Sequence, residues 1–308
     1  MAALHAAREA IAEAGWSESD LHDTALVVGT SRGNAAGWLG PWPGRRPFRL
    51  MAASNTIHSE PASAISIEFG ITGPNHVVAS GCAAGLDAVG VAMMMLECGL
   101  ASRALAVAVD LPLVPMLLDQ YASSGLLSKT AQLDPYHSST TGFVPAEAAA
   151  AMAIEIGEGN HPRLLHYACN SDAGNPVGIP ADGGRSSELF THDLTRGLSA
   201  LCPHATGTMV QAVADPAWMQ RVFTDAKPPL ILLKPFIGHT IGASGLLESA
   251  ILAGFMKNGR LPGNVKGLSA PQGFVLPHDS FEVTGPVAKV SNGMGGHNAL
   301  LVISPASA

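Results

Sequence analysis

The chain has 308 residues, 47% hydrophobic and only 13% charged, with a formal net charge of −7 and no basic run of the kind that contacts phosphates. That balance supports a large buried core in one domain or two halves, and it excludes nucleic acid as a main partner. Cys82, Cys98, Cys169 and Cys202 show no C-x-x-C spacing, so neither a zinc site nor a disulfide framework is expected, and a cytoplasmic, reducing setting fits.

Residues 3–14 carry an amphipathic helical pattern broken by charge, a poor secretory signal, which Gly15 terminates. Nowhere does an apolar run approach the ~20 residues of a membrane span. Ala25 to Ser31 reads as a buried strand ending in a glycine-bearing turn. Gly33 to Arg49, rich in Gly, Pro and Trp, reads as a loop, and Ser54 to Phe69 as mainly helical with Gly70 as its stop. A strand around His76 to Ser80 leads into a helix that runs to about Cys98. Ala104 to Val109 is a continuous apolar run, as in a strand buried on both faces. A helical segment near 112–123 follows, and the run from Gly142 to Ile156 ends the first half. The polar joint from Gly157 to Pro162 sets a boundary between halves 1–157 and 158–308. The second half offers strands near Leu164–Cys169, Leu201–His204, Leu230–Lys234, Val287–Ser291 and Ala299–Ile303, with a helix from Ala243 to Met256. Alternating apolar strands and helices imply a layered α/β fold.

The chemistry concentrates in four short motifs. In Val77-Val78-Ala79-Ser80-Gly81-Cys82-Ala83-Ala84-Gly85-Leu86-Asp87 a β-branched run stops at Ser-Gly and a small-residue helix begins, which puts Cys82 on a strand-to-helix turn. Backbone amides at such a turn favour a thiolate and can hold an oxyanion; the alternative for Cys82 is an inert buried cysteine. Pro203-His204-Ala205-Thr206-Gly207-Thr208 and Lys234-Pro235-Phe236-Ile237-Gly238-His239 each place a histidine among small residues after an apolar strand. Ser291-Asn292-Gly293-Met294-Gly295-Gly296-His297-Asn298 closes the set.

In this order the motifs resemble those of the elongating β-ketoacyl synthases, the Cys-His-His condensing enzymes of the thiolase superfamily, and the Cys82 segment is most similar to ketosynthases of bacterial type II polyketide and fatty-acid pathways. The resemblance implies duplicated α-β-α-β-α layers, and a decarboxylative Claisen condensation between an acyl thioester and a malonyl-type thioester. Cys82 would be the acylated nucleophile, and His204 and His239 would stabilise the enolate formed on loss of carbon dioxide. Lys234 would be held in the same network by a carboxylate, for which Glu147 is the candidate; an ordinary salt-bridged role for Glu147 is the alternative. Amides of Cys82 and Met294 would form the oxyanion hole, Thr206 and Thr208 would hold the phosphopantetheine arm, and Asn292 and Met294 would gate the acyl pocket. No metal or cofactor is implied, the substrates being carried on the phosphopantetheine of an acyl carrier protein. The resemblance also implies a dimer through the strand at His76–Ser80, with a second copy or another ketosynthase-like subunit.

Several positions depart from the family pattern. Met294 and Asn292 stand where phenylalanines are usual, His137, Thr140 and Thr141 replace an ionic cluster, and Ala212 replaces an aspartate downstream of the threonines. The first half also offers four strands where the family has five, its opening strand being absent. Buried unpaired amides cost about 1–3 kcal/mol each, so the gap is expected to be closed, either by a segment from another chain or, as preferred for an isolated chain, by a contracted sheet in which Ala25–Ser31 pairs directly with the Ala104 strand. Two other functions stay open: a non-condensing partner subunit of the chain-length-factor type, and a thiolase-fold acyltransferase that does not decarboxylate.

Overall fold

The computed structural model describes residues 1–39, 57–130, 133–191 and 193–306. It divides into two compact units. The first comprises Met1–Ser123, Pro145–Gly157 and Thr240–Leu247; the second comprises Ser124–Val144, Glu158–His239 and Glu248–Ala308. One crossing between the units follows Gly157, while Ser124–Val144 of the first half belongs to the second unit and Thr240–Leu247 of the second half to the first.

In the first unit, helix α1 (Ala2–Ala14) ends at Gly15 in the left-handed conformation, and α2 (Glu18–His22) is capped by Ser17 in a reciprocal capping box with Asp20. These two helices fill the stretch before β1 (Ala25–Gly29). The short α3 (Ala35–Leu39) interrupts the expected loop, whose remainder from 40 to 49 lies outside the described residues, as do residues 54–56 at the start of the next expected helix. Helix α4 (Glu60–Phe69) stops at Gly70, as expected, with a positive φ. Then come β2 (Asn75–Val78), a single 3₁₀ turn (Gly81–Ala83), α5 (Ala84–Glu97), β3 (Arg103–Asp110), α6 (Pro115–Ser123) and β4 (Ala148–Glu155).

Among the described residues the sheet order is β2-β1-β3-β4, with four strands. β1 runs parallel to both neighbours, Ala25 facing Ala104 and Leu26 facing Asn75, while β4 is antiparallel to β3. The contraction expected from the strand count is thus what the sheet does: β1 is fully buried, and its two edges are satisfied by β2 and β3. Asp110, at the end of β3, is fully buried and fastens the turn after β1, accepting from Thr30 Oγ1 (3.0 Å), Ser31 N (2.8 Å) and Arg32 N (2.9 Å), and from Gly242 N (2.7 Å). Burial raises its proton affinity and these donors pull it back down.

In the second unit, β5 (Arg163–Ser171), β6 (Ala200–Cys202), β9 (Val287–Gly293) and β10 (His297–Ser304) form a sheet in the order β5-β10-β9-β6. The strand expected at Leu230–Lys234 is reduced to one bridge, Leu201 to Leu230, because the amide of Leu232 is taken by the Asn264 side chain and Lys234 opens a helix. Helix α7 (Met209–Val222), which the sequence reading did not assign, is capped by Thr208 and packs Trp218 and Met219 into the core. The one-turn α8 (Lys234–Ile237) and the longer α9 (Ser244–Met256) follow it, and the two-stranded β7–β8 ribbon (Arg260–Leu261, Phe281–Glu282) precedes β9.

Close packing in the first unit depends on small residues. A Cβ on Gly85 in α5 would sit 2.7 Å from Gly242 O and 3.0 Å from Leu246 N. Gly254, exposed in α9, has nothing within 4 Å of that position. Gly85→Ala should therefore destabilise the protein by about 1–3 kcal/mol, and Gly254→Ala should stabilise it by about 1 kcal/mol, in urea denaturation. Shifts of the same sign would contradict the packing.

Candidate active site

Cys82 lies in the first unit, in the 3₁₀ turn between β2 and α5, and is 8% exposed. Gly81 supplies the positive φ (62°) that turns the strand into the helix. Asp87, in the first turn of α5, accepts a short hydrogen bond from Ser80 Oγ, which fixes the residues on either side of the cysteine. The placement is the one read from the sequence, with the backbone amides of a helix start beside the sulfur.

In the second unit His204 and His239 come together, their rings edge to face with centroids 5.4 Å apart. Each is 2% exposed. The His204 loop leaves β6, and its next residue, Ala205, takes a positive φ (47°) held by Asp215 Oδ2, which accepts the Ala205 amide at 2.8 Å. Asp215 is itself fully buried and also accepts from Trp218, Gln211 and Tyr136. It stands one helical turn beyond Ala212, so a carboxylate is present on α7 although not at the usual position. His239 follows α8 and Gly238; its amide donates to Val144 O at 2.7 Å, and Phe143 meets its ring edge to face at 5.2 Å.

Behind the histidines lies a buried ionic cluster. Lys234 Nζ is 2.6 Å from Glu248 Oε1, and Lys289 Nζ is 2.7 Å from Glu248 Oε2. All three side chains are 0–1% exposed. The Cys202 thiol donates to Glu248 Oε2 at 3.6 Å, and burial pushes its pKa up to about 12, so it stays neutral. Burial alone would raise the Glu248 carboxyl, but the two ammonium groups hold it at about 2. Lys234 is pushed down by burial against the pull of Glu248. Both imidazoles fall well below the ordinary histidine range, first by burial and then by Lys234, with Lys289 adding to it. They are neutral at physiological pH, and His204 Nδ1 is buried with no hydrogen-bond partner among the described residues.

Two expectations are corrected. The carboxylate that holds Lys234 is Glu248, not Glu147; Glu147 instead accepts from the Leu113 amide at 3.0 Å in an exposed setting. Glu248 is the single charge in the apolar helix α9, a signal the sequence carried. Asn292 is no gate: it is 2% exposed within β9, donates to Ser186 Oγ and Asn298 Oδ1, and accepts from Gln211 Nε2, so it is fixed. Met294 lies in the turn between β9 and β10 and is half-buried. Thr206 Oγ1 and Thr208 Oγ1 are 3.2 Å apart, and Thr208 caps α7 by accepting from Gln211 N.

A family description for the β-ketoacyl synthase N-terminal domain matches residues 1–158, and one for the C-terminal domain matches residues 163–267. The chain therefore belongs to the β-ketoacyl synthase family, the acyltransferase-type condensing enzymes. A Schizosaccharomyces pombe protein named as a mitochondrial 3-oxoacyl-[acyl-carrier-protein] synthase is 28% identical over 97% of this chain and 79% of its own length. The actinorhodin polyketide β-ketoacyl synthase 1 of Streptomyces coelicolor is 26% identical over 86% of this chain and 61% of its own. Among solved structures, a type II polyketide ketosynthase in complex with its acyl-carrier protein matches 99% of this chain and 84% of its own with a TM-score of 0.88 at 22% identity, which agrees with the thiolase-like α/β fold. No helix among the described residues is long and apolar enough to cross a membrane.

The neutral histidines predict a pH dependence. Their folded pKa values lie below the unfolded value near 6.5, so the unfolded chain binds more protons as pH falls. Stability is full above about pH 6.5 and is lost below it, each histidine contributing a slope of up to about 1.4 kcal/mol per pH unit. His239→Gln should flatten urea-denaturation stability between about pH 6 and 5 relative to the wild type. An unchanged slope would show that His239 is not held neutral.

Proposed function

We propose that the protein performs the decarboxylative condensation of an acyl thioester with a malonyl-type thioester, both presented on the phosphopantetheine of an acyl carrier protein. The observation that supports this most directly is the pair of buried, neutral histidines backed by Lys234 and Glu248, in a chain of this family that retains Cys82.

The Cys82 sulfur attacks the acyl carbonyl, the carrier thiol leaves, and the proton from cysteine ends on that thiol. In the second stage the bond between the malonyl carboxylate and its α-carbon breaks. Carbon dioxide departs and the electron pair is delocalised onto the thioester oxygen. Neutral imidazoles can donate N–H bonds to that oxygen without having to lose a charge first, which is stabilisation where charge develops. The resulting carbanion attacks the acyl-cysteine carbonyl and expels the Cys82 thiolate. Amides of Cys82 and Met294 serve as oxyanion donors in the acyl-transfer steps. Thr206 and Thr208 contact the pantetheine arm, and Met294, unbranched and deformable, borders the acyl chain. No cofactor enters this scheme.

The four cysteines form no disulfide, which supports a reducing cytosol as the working compartment. For assembly, β2 is an edge strand with Asn75 and His76 exposed, and such an edge suits pairing with a second copy or a related subunit.

Acyl- and malonyl-carrier thioesters, offered in turn and followed by intact-protein mass spectrometry, test the reading. The wild type should gain the acyl mass and then release it as condensed product. Cys82→Ala should gain no acyl mass while remaining folded, and His239→Ala should load acyl groups but lose malonyl decarboxylation by at least about 100-fold. Acyl loading by Cys82→Ala would overturn the nucleophile, and loading without any condensation by the wild type would favour the simple acyltransferase.

A further inference from the structure

Lys289 is the charged residue that the scheme above leaves without a task. It sits in the middle of β9, where every neighbour along the strand is buried, and it is 0% exposed. A methionine or leucine would fill this place without bringing an ammonium group out of water, so the lysine is costly unless its charge is used. Its contacts use it fully. Besides Glu248 Oε2 at 2.7 Å, Nζ donates to Val290 O at 2.8 Å and to Pro203 O at 3.3 Å.

Two of these contacts lead to the histidines by separate routes. Pro203 immediately precedes His204. Glu248 holds, through its other oxygen, Lys234, the first residue of the one-turn helix that delivers His239. We infer that Lys289 is a positioning residue for the histidine pair, clamping the segment before His204 through Pro203 and, through Glu248, the segment before His239. This inference rests on the condensing reading, in which those imidazoles donate to the thioester oxygen.

The charge balance follows from the same geometry. Two ammonium groups share one carboxylate, so the cluster is net positive. The groups acting on His204 are Lys234, His239 and Lys289, and those acting on His239 are Lys234, Glu248 and Lys289. Replacing Lys289 with methionine leaves Lys234 and Glu248 as a neutral pair, so protonating an imidazole becomes easier.

The test combines an activity profile with a measurement that needs no activity. Decarboxylation of malonyl-pantetheine is followed against pH for the wild type and Lys289→Met. The acid limb of the variant's profile should move up by about one pH unit, the low end of what a neighbouring like charge does. A rate lowered equally at every pH would reduce Lys289 to core filling and overturn the inference. Thermal midpoints of Lys289→Met, Glu248→Gln and the double variant are compared in parallel. Because Glu248→Gln strands two ammonium groups beside each other, adding Lys289→Met should raise the midpoint of that variant by more than it changes the wild type. Equal effects in the two backgrounds would show that Lys289 and Lys234 do not share the carboxylate. Should the wild type fail to decarboxylate at any pH, the condensing reading falls, and the thermal comparison still decides the clamp.

Discussion

One carboxylate, Glu248, organises the second unit's functional face. It is buried, it is the single charge on its helix, and it meets an ammonium group at each oxygen. An isolated carboxylate at that depth would take up a proton, but flanked by Lys234 and Lys289 it stays ionised with a pKa of about 2. The lysines in turn begin or brace the two segments that end in His239 and His204. Burial, reinforced by the surplus of one positive charge, leaves the imidazoles neutral. The position of the histidines, and part of what keeps them neutral, thus trace to a three-residue ionic cluster.

The first unit solves a different problem, which is to present a cysteine at the end of a sheet. Its contracted sheet places β1 between β2 and β3, and Asp110 gathers the turn after β1 through three donors and ties it to Gly242 through a fourth. Glycines at 81 and 85 let the chain turn sharply and let α5 pack closely against the Gly242 backbone. These are steric demands on small residues, which explains how a segment so poor in large side chains comes to be so thoroughly buried.

What the sequence disclosed and what it hid follow from the range of each interaction. The Cys82 turn, the two histidine segments and the apolar strands are local patterns, legible in ten or so consecutive residues. The strand count was legible too, and hydrogen-bond arithmetic turned it into the observed pairing of β1 with β3. Partnerships were not. Glu147 stands just after Gly142-Phe143-Val144, whereas Glu248 reaches Lys234 across 14 residues of chain that include a change from one helix to another. Lys289 lies in a fully buried strand and belongs to no motif, yet a lone charge in a core strand is itself a signal that it must meet an opposite one. Asn292 looked like a substituted gate because two of the three side chains that hold it, Gln211 and Ser186, come from distant positions. The expected Leu230–Lys234 strand failed for a related reason, since Asn264 captures a backbone amide that a neighbouring strand would otherwise have used.

The central claim is that His204 and His239 are neutral because burial and the Lys234–Glu248–Lys289 cluster make them so. It is tested most directly by nuclear magnetic resonance of the folded wild type labelled with ¹³C at the histidine ring, the two signals being assigned by their loss in His204→Gln and His239→Gln. Both resonances should keep the chemical shift of neutral imidazole as pH falls to about 5. A titration of either buried ring near 6.5 would contradict the account.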